Sequence, residues 1–271
     1  MTAKKTPPLV SLNSISTKLP IDETIKQYYE AGFDGIGLWN EEVTQFGIDQ
    51  VADLLVKYPL KVTHVIYAGP FNQTSEVEYM KARAQDRETI AMAGRLGADS
   101  VLAMTGGING LKKSEAFRQL NRSLRELVDC AADSGVELGL EPLHYNLQDD
   151  SFIFTLKDAM DIIEEIDHPA LGVFIDVFHI WQEPGILETL QRAKDKIVGC
   201  HICDQRQTNR SAYDRVLMGD GVIPVRLLLD ALARQGWDAW YDIEIFSDEL
   251  WSMAPKEFFK MAQDKYMALW R

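Results

Sequence analysis

A chain of 271 residues exceeds the common domain size, yet α/β barrels of about 250 residues fold as one unit, so length alone asks for no second domain. Its 41 acidic against 28 basic residues leave a formal net charge of −13, which repels a phosphate backbone over the whole surface and argues against a nucleic-acid partner. A content of 46% hydrophobic residues with no unbroken apolar run of about 18 predicts a large core and no membrane partner.

The basic pair Lys4-Lys5 runs into Pro7-Pro8 rather than an apolar segment, so no signal peptide is expected and the location reads as cytoplasmic. Cys130, Cys200 and Cys203 are too few and too scattered for a secreted disulfide framework, and reduced thiols are expected. Cys200-His201-Ile202-Cys203 is formally a CxxC, but no second pair completes a zinc site and no helix starts on it.

The first strand is predicted over Leu9–Asn13, followed by a helix over Ile21–Ala31 that Gly32 stops. Strand two, Gly35–Trp39, precedes a helix at Ile48–Lys57. Strand three, Lys61–Ile66, precedes the long helix Ser75–Leu96, and strand four, Ser100–Met104, the long helix Ser114–Ser134. Strand five, Val136–Glu141, leads to the helix Thr155–Ile166, and strand six, Leu171–Asp176, to the helix Gly185–Asp195. Strand seven, Ile197–Ile202, is followed by the longest connection without obvious structure, Cys203 to Ile223, and then by the helix Pro224–Gln235. Strand eight, Trp240–Ile245, and the helix Pro255–Leu269 end the chain. Short β-rich runs alternating with amphipathic ones predict a (β/α)8 TIM barrel, one domain over residues 1–271. In such a barrel the Cys203–Ile223 connection lies on the face where chemistry occurs, so it is expected to be a substrate loop.

Parallel strands finish on one rim, and alternate residues of each strand face inward, so polar residues at strand ends converge. The last four strands end in Glu141, Asp176, His201 and Glu244. A period of two then turns Gly139, Gly172, Phe174, Gly199 and Asp242 inward as well, and Leu140, Ile175, Cys200 and Ile243 toward the helices. Carboxylates gathered in one cavity repel one another unless a cation joins them. Three carboxylates and one imidazole suit one divalent metal ion, Mn2+, Mg2+, Co2+ or Zn2+, and the mixture does not choose among them.

With these residues in hand, the chain resembles the xylose-isomerase-like barrel family of sugar and cyclitol isomerases, epimerases and related dehydratases. The likeness rests on Leu140-Glu141-Pro142-Leu143-His144, Asp176-Val177-Phe178-His179, Val198 to Asp204, Asp214-Arg215, Gly219-Asp220-Gly221 and Ile243-Glu244-Ile245-Phe246. It implies that Glu141, Asp176, His201 and Glu244 hold the metal and that Glu141 and Glu244 double as acid and base. It also implies that His179 contacts substrate and that Arg215 lies on the substrate side, with Arg206 a competing candidate. The stretch Gln205 to Arg210 departs from the family pattern and leaves the substrate open. The implied partner is a small keto-sugar or keto-cyclitol.

The chemistry fits. A proton on carbon beside a carbonyl is released only if the enolate is stabilised, and a divalent ion on the carbonyl and adjacent hydroxyl oxygens stabilises a cis-enediolate. A carboxylate on each face can then take or give the proton, which yields epimerisation or isomerisation. His64, near the end of strand three, is either a cavity residue or a satisfied core residue, and His144 is a rim candidate for substrate. His168, ahead of strand six, is expected on the opposite, structural face. Trp39, Tyr67 and Phe246 follow strand ends and are candidates for apolar walls against a sugar ring as well as for ordinary packing. Trp181 and Trp251 are candidates for covering the mouth or for a homo-oligomer contact. Gly106-Gly107 is too short for a phosphate cradle.

A dehydratase of a keto-cyclitol or of a dehydroshikimate-like compound would begin with the same proton abstraction. The family's endonuclease branch uses more histidines and a basic face, against which five histidines and a charge of −13 speak. A barrel that only senses a sugar would have to maintain two glutamates at a metal for binding alone.

Overall fold

Residues 8–211 and 213–271 are described by a computed structural model, so Lys4, Lys5 and Pro7 lie outside the described residues. The elements run β1 (Val10–Asn13), α1 (Ile21–Ala31), β2 (Gly35–Trp39), α2 (Asn40–Phe46), α3 (Ile48–Lys57), β3 (Lys61–Ala68), α4 (Glu76–Arg95), β4 (Ser100–Ala103) and α5 (Lys113–Asp133). They continue with β5 (Glu137–Leu140), α6 (Leu156–Ile166), β6 (Leu171–Asp176), α7 (Val177–Ile180), α8 (Ile186–Ala193), β7 (Ile197–Ile202), β8 (Asp204–Gln205) and β9 (Arg215–Val216). The chain ends with α9 (Val225–Arg234), β10 (Tyr241–Ile243), α10 (Asp248–Trp251) and α11 (Pro255–Ala268). Eight strands close in the order β1-β10-β7-β6-β5-β4-β3-β2 into an all-parallel barrel, the predicted (β/α)8 architecture. Among the described residues no helix is long and apolar enough to cross a membrane.

All sixteen predicted strands and helices form, with ends shifted by no more than two residues, because their boundaries carry local chemistry. Ser75 and Thr155 each accept the backbone N–H three residues on, at 3.2 and 3.0 Å, satisfying a donor left open at the start of α4 and α6. Gly32 closes α1 at φ 85°, a left-handed conformation that costs glycine nothing. The elements not predicted are short. α7 is one turn that starts on Asp176, whose Oδ1 accepts the Phe178 N–H at 2.8 Å, and β8 and β9 are two-residue strands of an antiparallel ribbon.

The apolar core has two parts. The larger lies between barrel and helices and includes Leu140, Ile175, Cys200 and Ile243, the residues whose period turned them outward. The smaller lies inside the barrel, where Ile66, Leu102 and Phe174 pack with Trp39, Tyr67 and Met104. The space beside the inward glycines is occupied: a Cβ on Gly199 would run into the Phe174 ring, and one on Gly139 would lie 2.6 Å from Val198 Cγ2. Small residues on one strand thus admit large ones from the next, and the barrel is filled below its rim.

The connection after β7 is shaped by one side chain. Asp204 Oδ1 accepts the N–H groups of Gln205 and Ile223 at 2.8 Å, and Oδ2 those of Gly219 and Gly221 at 3.0 Å. Gly221 is required there, since a Cβ would collide with the same carboxylate. Asp204 is fully buried, so Asp204→Ala strands four donors at about 1 kcal/mol or more each. We expect a loss of about 4 kcal/mol, read by calorimetry as a fall in Tm on the order of 10 °C, with Asp204→Asn losing about half as much. An unchanged Tm would show that the clasp is not needed to order the loop.

Candidate active site

The four strand-end residues sit where the parallel barrel should bring them. Asp176 ends β6, His201 lies opposite it in register on β7, Glu141 follows β5, and Glu244 follows β10. All four are buried. Ligand atoms of Glu141, Asp176 and His201 lie within 4.8 Å of one another. Glu244 joins them from the other side, its Oε2 3.5 Å from His201 Nδ1, while Glu141 Oε1 lies 3.6 Å from the same nitrogen.

Arg215, carried in by the ribbon, sets one Nη1 between Asp176 Oδ2 and Glu244 Oε2, 2.9 Å from each. Burial works against its charge, but Asp176, Cys203 and Glu244 outweigh burial and push its pKa up. Burial likewise works to raise Asp176, and the charges of Arg215, His179 and His201 overcome it, leaving that carboxyl below its ordinary range. Glu141 is different. Burial raises it to about 7, with Asp176 and Glu244 adding to the shift and His201 opposing it. Burial works to lower His201, but Glu244 and then Glu141 and Asp242 bring it up to about 9.

Below His201 lies a second layer. His201 Nε2 is 2.9 Å from His64 Nε2, and Asp242 Oδ2 lies 3.6 Å from the former and 3.8 Å from the latter. Asp242 accepts from the Ser11 hydroxyl and, at 3.0 Å, from Asn13 Nδ2. Burial raises its carboxyl to about 6, with His201, Ser11 and Asn13 opposing.

Two observations test whether this donor set fits a divalent ion. Glu141 Oε1 and His201 Nδ1 are both buried without a hydrogen-bond partner, although buried polar atoms are ordinarily satisfied. Both face the same point between the carboxylates. One carboxylate oxygen and an imidazole nitrogen left open at one point, with the carboxylates of Asp176 and Glu244 beside them, suit a hard to borderline cation.

Above the cluster opens a cavity of about 580 Å3. Glu141, Glu244, Arg215 and His179 stand on its floor, and Trp39, Ile66, Tyr67, Leu102 and Met104 from β2, β3 and β4 line its apolar side. Trp39 meets Tyr67 and Phe246 edge to face at 6.4 and 6.1 Å, so the three aromatic candidates do form one wall. The connection after β7 contributes Gln205, Asn209, Ser211, Tyr213 and Arg215. A separate cavity of about 460 Å3 at the opposite end of the barrel reaches His64 and Asp242 from below and touches none of the four strand-end residues.

The substrate-side candidates divide. His179 lines the cavity, and its Nδ1 accepts the His144 N–H at 3.2 Å, which puts its own proton on Nε2, 3.5 Å from Asp176 Oδ2. His144 stands on the rim with both ring nitrogens engaged, by Gln182 and by the Asn146 N–H, each at 3.2 Å. Trp39 is on the wall and donates to Asn13 Oδ1 at 3.1 Å. His64 does not line the cavity; it is 2% exposed and lies under His201. Arg206 does not line it either. It is held by Asp214 at 3.1 Å and Glu249 at 2.9 Å, a pair that also holds Arg210. Of the tryptophans proposed for the mouth, Trp251 donates to Ile15 O at 2.8 Å and is half-buried behind Phe246, and Trp181 is half-buried as well. His168 lies between α6 and β6, 3.4 Å from Asp129, on the structural face as expected. Cys200 and Cys203 are free and buried, and burial pushes both thiols well up, so the CxxC is no redox pair.

Asn13 and Asp242 were not predicted as site residues. Asn13 ends β1, and the strand-end argument applied to the last four strands would have found it there too.

The profile of the xylose isomerase-like TIM barrel family matches residues 25–264. The fructoselysine 3-epimerase of Escherichia coli O157:H7 is 23% identical over 267 residues, 93% of this chain and 94% of that one. The inosose isomerase of Bacillus subtilis (strain 168) is 25% identical over 144 residues, 52% of this chain and 51% of its own. Among solved structures, protein SMc04130 of Sinorhizobium meliloti 1021 superposes with a TM-score of 0.91 at 28% identity, over 96% of this chain and 98% of that chain. The IOLI protein with a bound zinc atom shares the fold at a TM-score of 0.83 and 22% identity, over 96% of this chain and 97% of its own. Sugar and cyclitol epimerases and isomerases thus stand among its relatives, and with a match that runs from the first barrel helix to the last, this chain belongs to the xylose isomerase-like TIM barrel family.

Proposed function

We propose that the protein is a divalent-metal-dependent isomerase or epimerase of an uncharged keto-sugar or keto-cyclitol, with Glu141 and Glu244 as the acid and base. The observation that carries this reading is the placement of the two glutamates. β5 and β10 are separated in the barrel by β6 and β7, so Glu141 and Glu244 approach the open His201 Nδ1 from opposite sides. A substrate seated there meets one carboxylate on each flank.

Glu141, Asp176, His201 and Glu244 would hold the ion, which when bound supplies positive charge to stabilise an enediolate. A solved neighbour of the same fold that carries a zinc atom supports a metal here, though it does not choose one. The chain's own residues do the rest. Either glutamate can remove the proton from the carbon beside the carbonyl and return it, since a carboxylate with one oxygen on a metal keeps the other free. His179 borders the cavity with its Nε2 3.5 Å from Asp176 Oδ2 and 3.5 Å from Arg215 Nη2, placed to donate to a substrate oxygen that comes between them. The wall of Trp39, Tyr67 and Phe246 receives the C–H face of the ring and keeps water from the reacting carbon.

Charge selects among substrates. Among the described residues lining the cavity, Arg215 is the one arginine or lysine, and it is committed to Asp176 and Glu244. Glu141, Asp150 and Glu244 line the same space. The bound ion offsets part of this charge, but no arginine or lysine of the described lining is left free to pair with a phosphate ester or a carboxylate, which disfavours a dehydroshikimate-like acid. The test is to incubate metal-loaded protein with keto-inositols and free ketoses in deuterated water and follow label uptake by NMR. Uptake beside the carbonyl at unchanged mass of the carbon skeleton and without new ultraviolet absorbance is the expected result. Loss of water with an enone absorbance would replace the reading by a dehydratase, and no uptake across the panel in zinc, manganese, cobalt and magnesium would remove it.

A further inference from the structure

His201 has two ring nitrogens, and the structure gives them different work. Nδ1 faces Glu141 and Glu244, and Nε2 lies 2.9 Å from His64 Nε2. Two imidazole nitrogens at that distance share a single proton, so one ring must donate and the other accept. The direction follows from the metal reading. An ion on His201 Nδ1 leaves the proton of that ring on Nε2, so His64 Nε2 must accept it. Thr63 Oγ1, 2.9 Å from His64 Nδ1, can accept there while its own proton goes to the Ile36 carbonyl at 3.3 Å. His64 then carries its proton on Nδ1, its Nε2 is bare, and His201 Nε2 is the donor.

The floor is built to keep His64 there. Its ring centroid lies 4.9 Å from that of Phe174 with the planes tilted by 56°, and a Cβ on Gly37 would lie 2.5 Å from His64 Cε1, so only glycine at that point of β2 leaves the ring its place. Reversing the contact would put the proton of a neutral His201 on Nδ1, the nitrogen that faces the carboxylates.

We propose that His64 is a positioning residue which, by accepting the His201 Nε2 proton, holds His201 in the tautomer that presents a bare Nδ1 to Glu141, Asp176 and Glu244. This rests on the reading of His201 as a metal ligand. A hydrogen-bond partner on the far nitrogen of a ligating histidine fixes both its tautomer and its orientation, and losing such a partner typically weakens metal binding by 10- to 100-fold.

The test combines two readouts. With histidine 15N-labelled protein, long-range proton–nitrogen spectra of the metal-free and zinc-loaded forms report which nitrogen of each of the five histidines is protonated. The expected spectrum has His64 protonated on Nδ1 in both forms and His201 protonated on Nε2 when zinc is bound. Zinc affinity, measured by competition with a chelator, is expected to fall about 10- to 100-fold in His64→Leu. In His64→Gln, whose amide oxygen can accept the same proton, it should stay within about threefold of the wild type. A His64 proton on Nε2 would overturn the proposal, as would equal zinc affinities in Leu and Gln variants. If His64→Leu fails to fold, His64→Gln carries the affinity readout alone, and a fall of about 10-fold or more in its zinc affinity would overturn the proposal. A wild-type protein that binds no zinc, manganese or cobalt would instead sink the metal reading, while the tautomer spectrum would still decide the role of His64.

Discussion

Glu141→Gln and Glu244→Gln are each expected to lower turnover by about 10³-fold or more while zinc affinity changes far less. Glutamine keeps the size and an oxygen that can approach a metal, but at neutral pH it neither takes nor releases a proton. Both side chains border the cavity and both flank His201 Nδ1, so each is placed to act on one face of a substrate between them. The variants need not behave alike in partial reactions. If the enzyme is an epimerase, each should retain solvent-deuterium exchange with the one epimer whose carbon-bound proton faces the surviving carboxylate. If it moves the carbonyl along the chain, the two should lose exchange at different carbons. Exchange at normal rates in both variants with either epimer would assign the proton transfer to other residues.

How much of this was visible in the sequence depends on which physical rule each residue obeys. Glu141, Asp176, His201 and Glu244 were legible because a parallel barrel forces strand ends together, whatever the loops do. Asp242 was legible as inward-facing, and it is, but its place one layer below Glu244 follows from register, which pairs it with His201. His64 was ambiguous for a related reason. Strand three was read as ending at Ile66, yet β3 runs on to Ala68, so His64 is mid-strand, opposite Gly37, and sits beneath the floor. A strand boundary wrong by two residues moves a side chain by one layer in a barrel, which separates a cavity residue from a buried one.

Arg206 and Arg215 show a different limit. Both lie on the connection after β7, and the strands that decide between them are two residues long, too short for a period of two to register in the sequence. The decision is made by distant partners: Asp214 and Glu249 hold Arg206 and Arg210 outside the cavity, and Asp204 gathers the loop so that β9 carries Arg215 over Asp176. Asp214 is kept at about 2, first by its hydrogen bond with Arg210, so this outer clamp stays charged throughout the range in which the active site titrates.

Arg215→Met is expected to destabilise the metal-free protein strongly and the metal-saturated protein much less. Without an ion, the guanidinium is what sits between Asp176 and Glu244, and Arg215 and both carboxylates are buried. Methionine fills much of the same volume but leaves those carboxylates without their cation. Removing one partner of a buried ion pair costs about 3–5 kcal/mol, which for a chain of this length lowers Tm on the order of 10 °C. A divalent ion bound by the same carboxylates would supply the missing charge, and at a concentration of 100 times its Kd it would return about 2.7 kcal/mol in any case. The variant should therefore gain more thermal stability from zinc than the wild type does, and a chelator should widen the gap between them. Turnover is expected to fall as well, since Arg215 borders the cavity, but that loss alone would not separate substrate contact from charge balance. The difference in zinc-induced Tm shift does separate them: equal shifts in Arg215→Met and wild type would mean that the arginine and the metal do not answer to the same carboxylates.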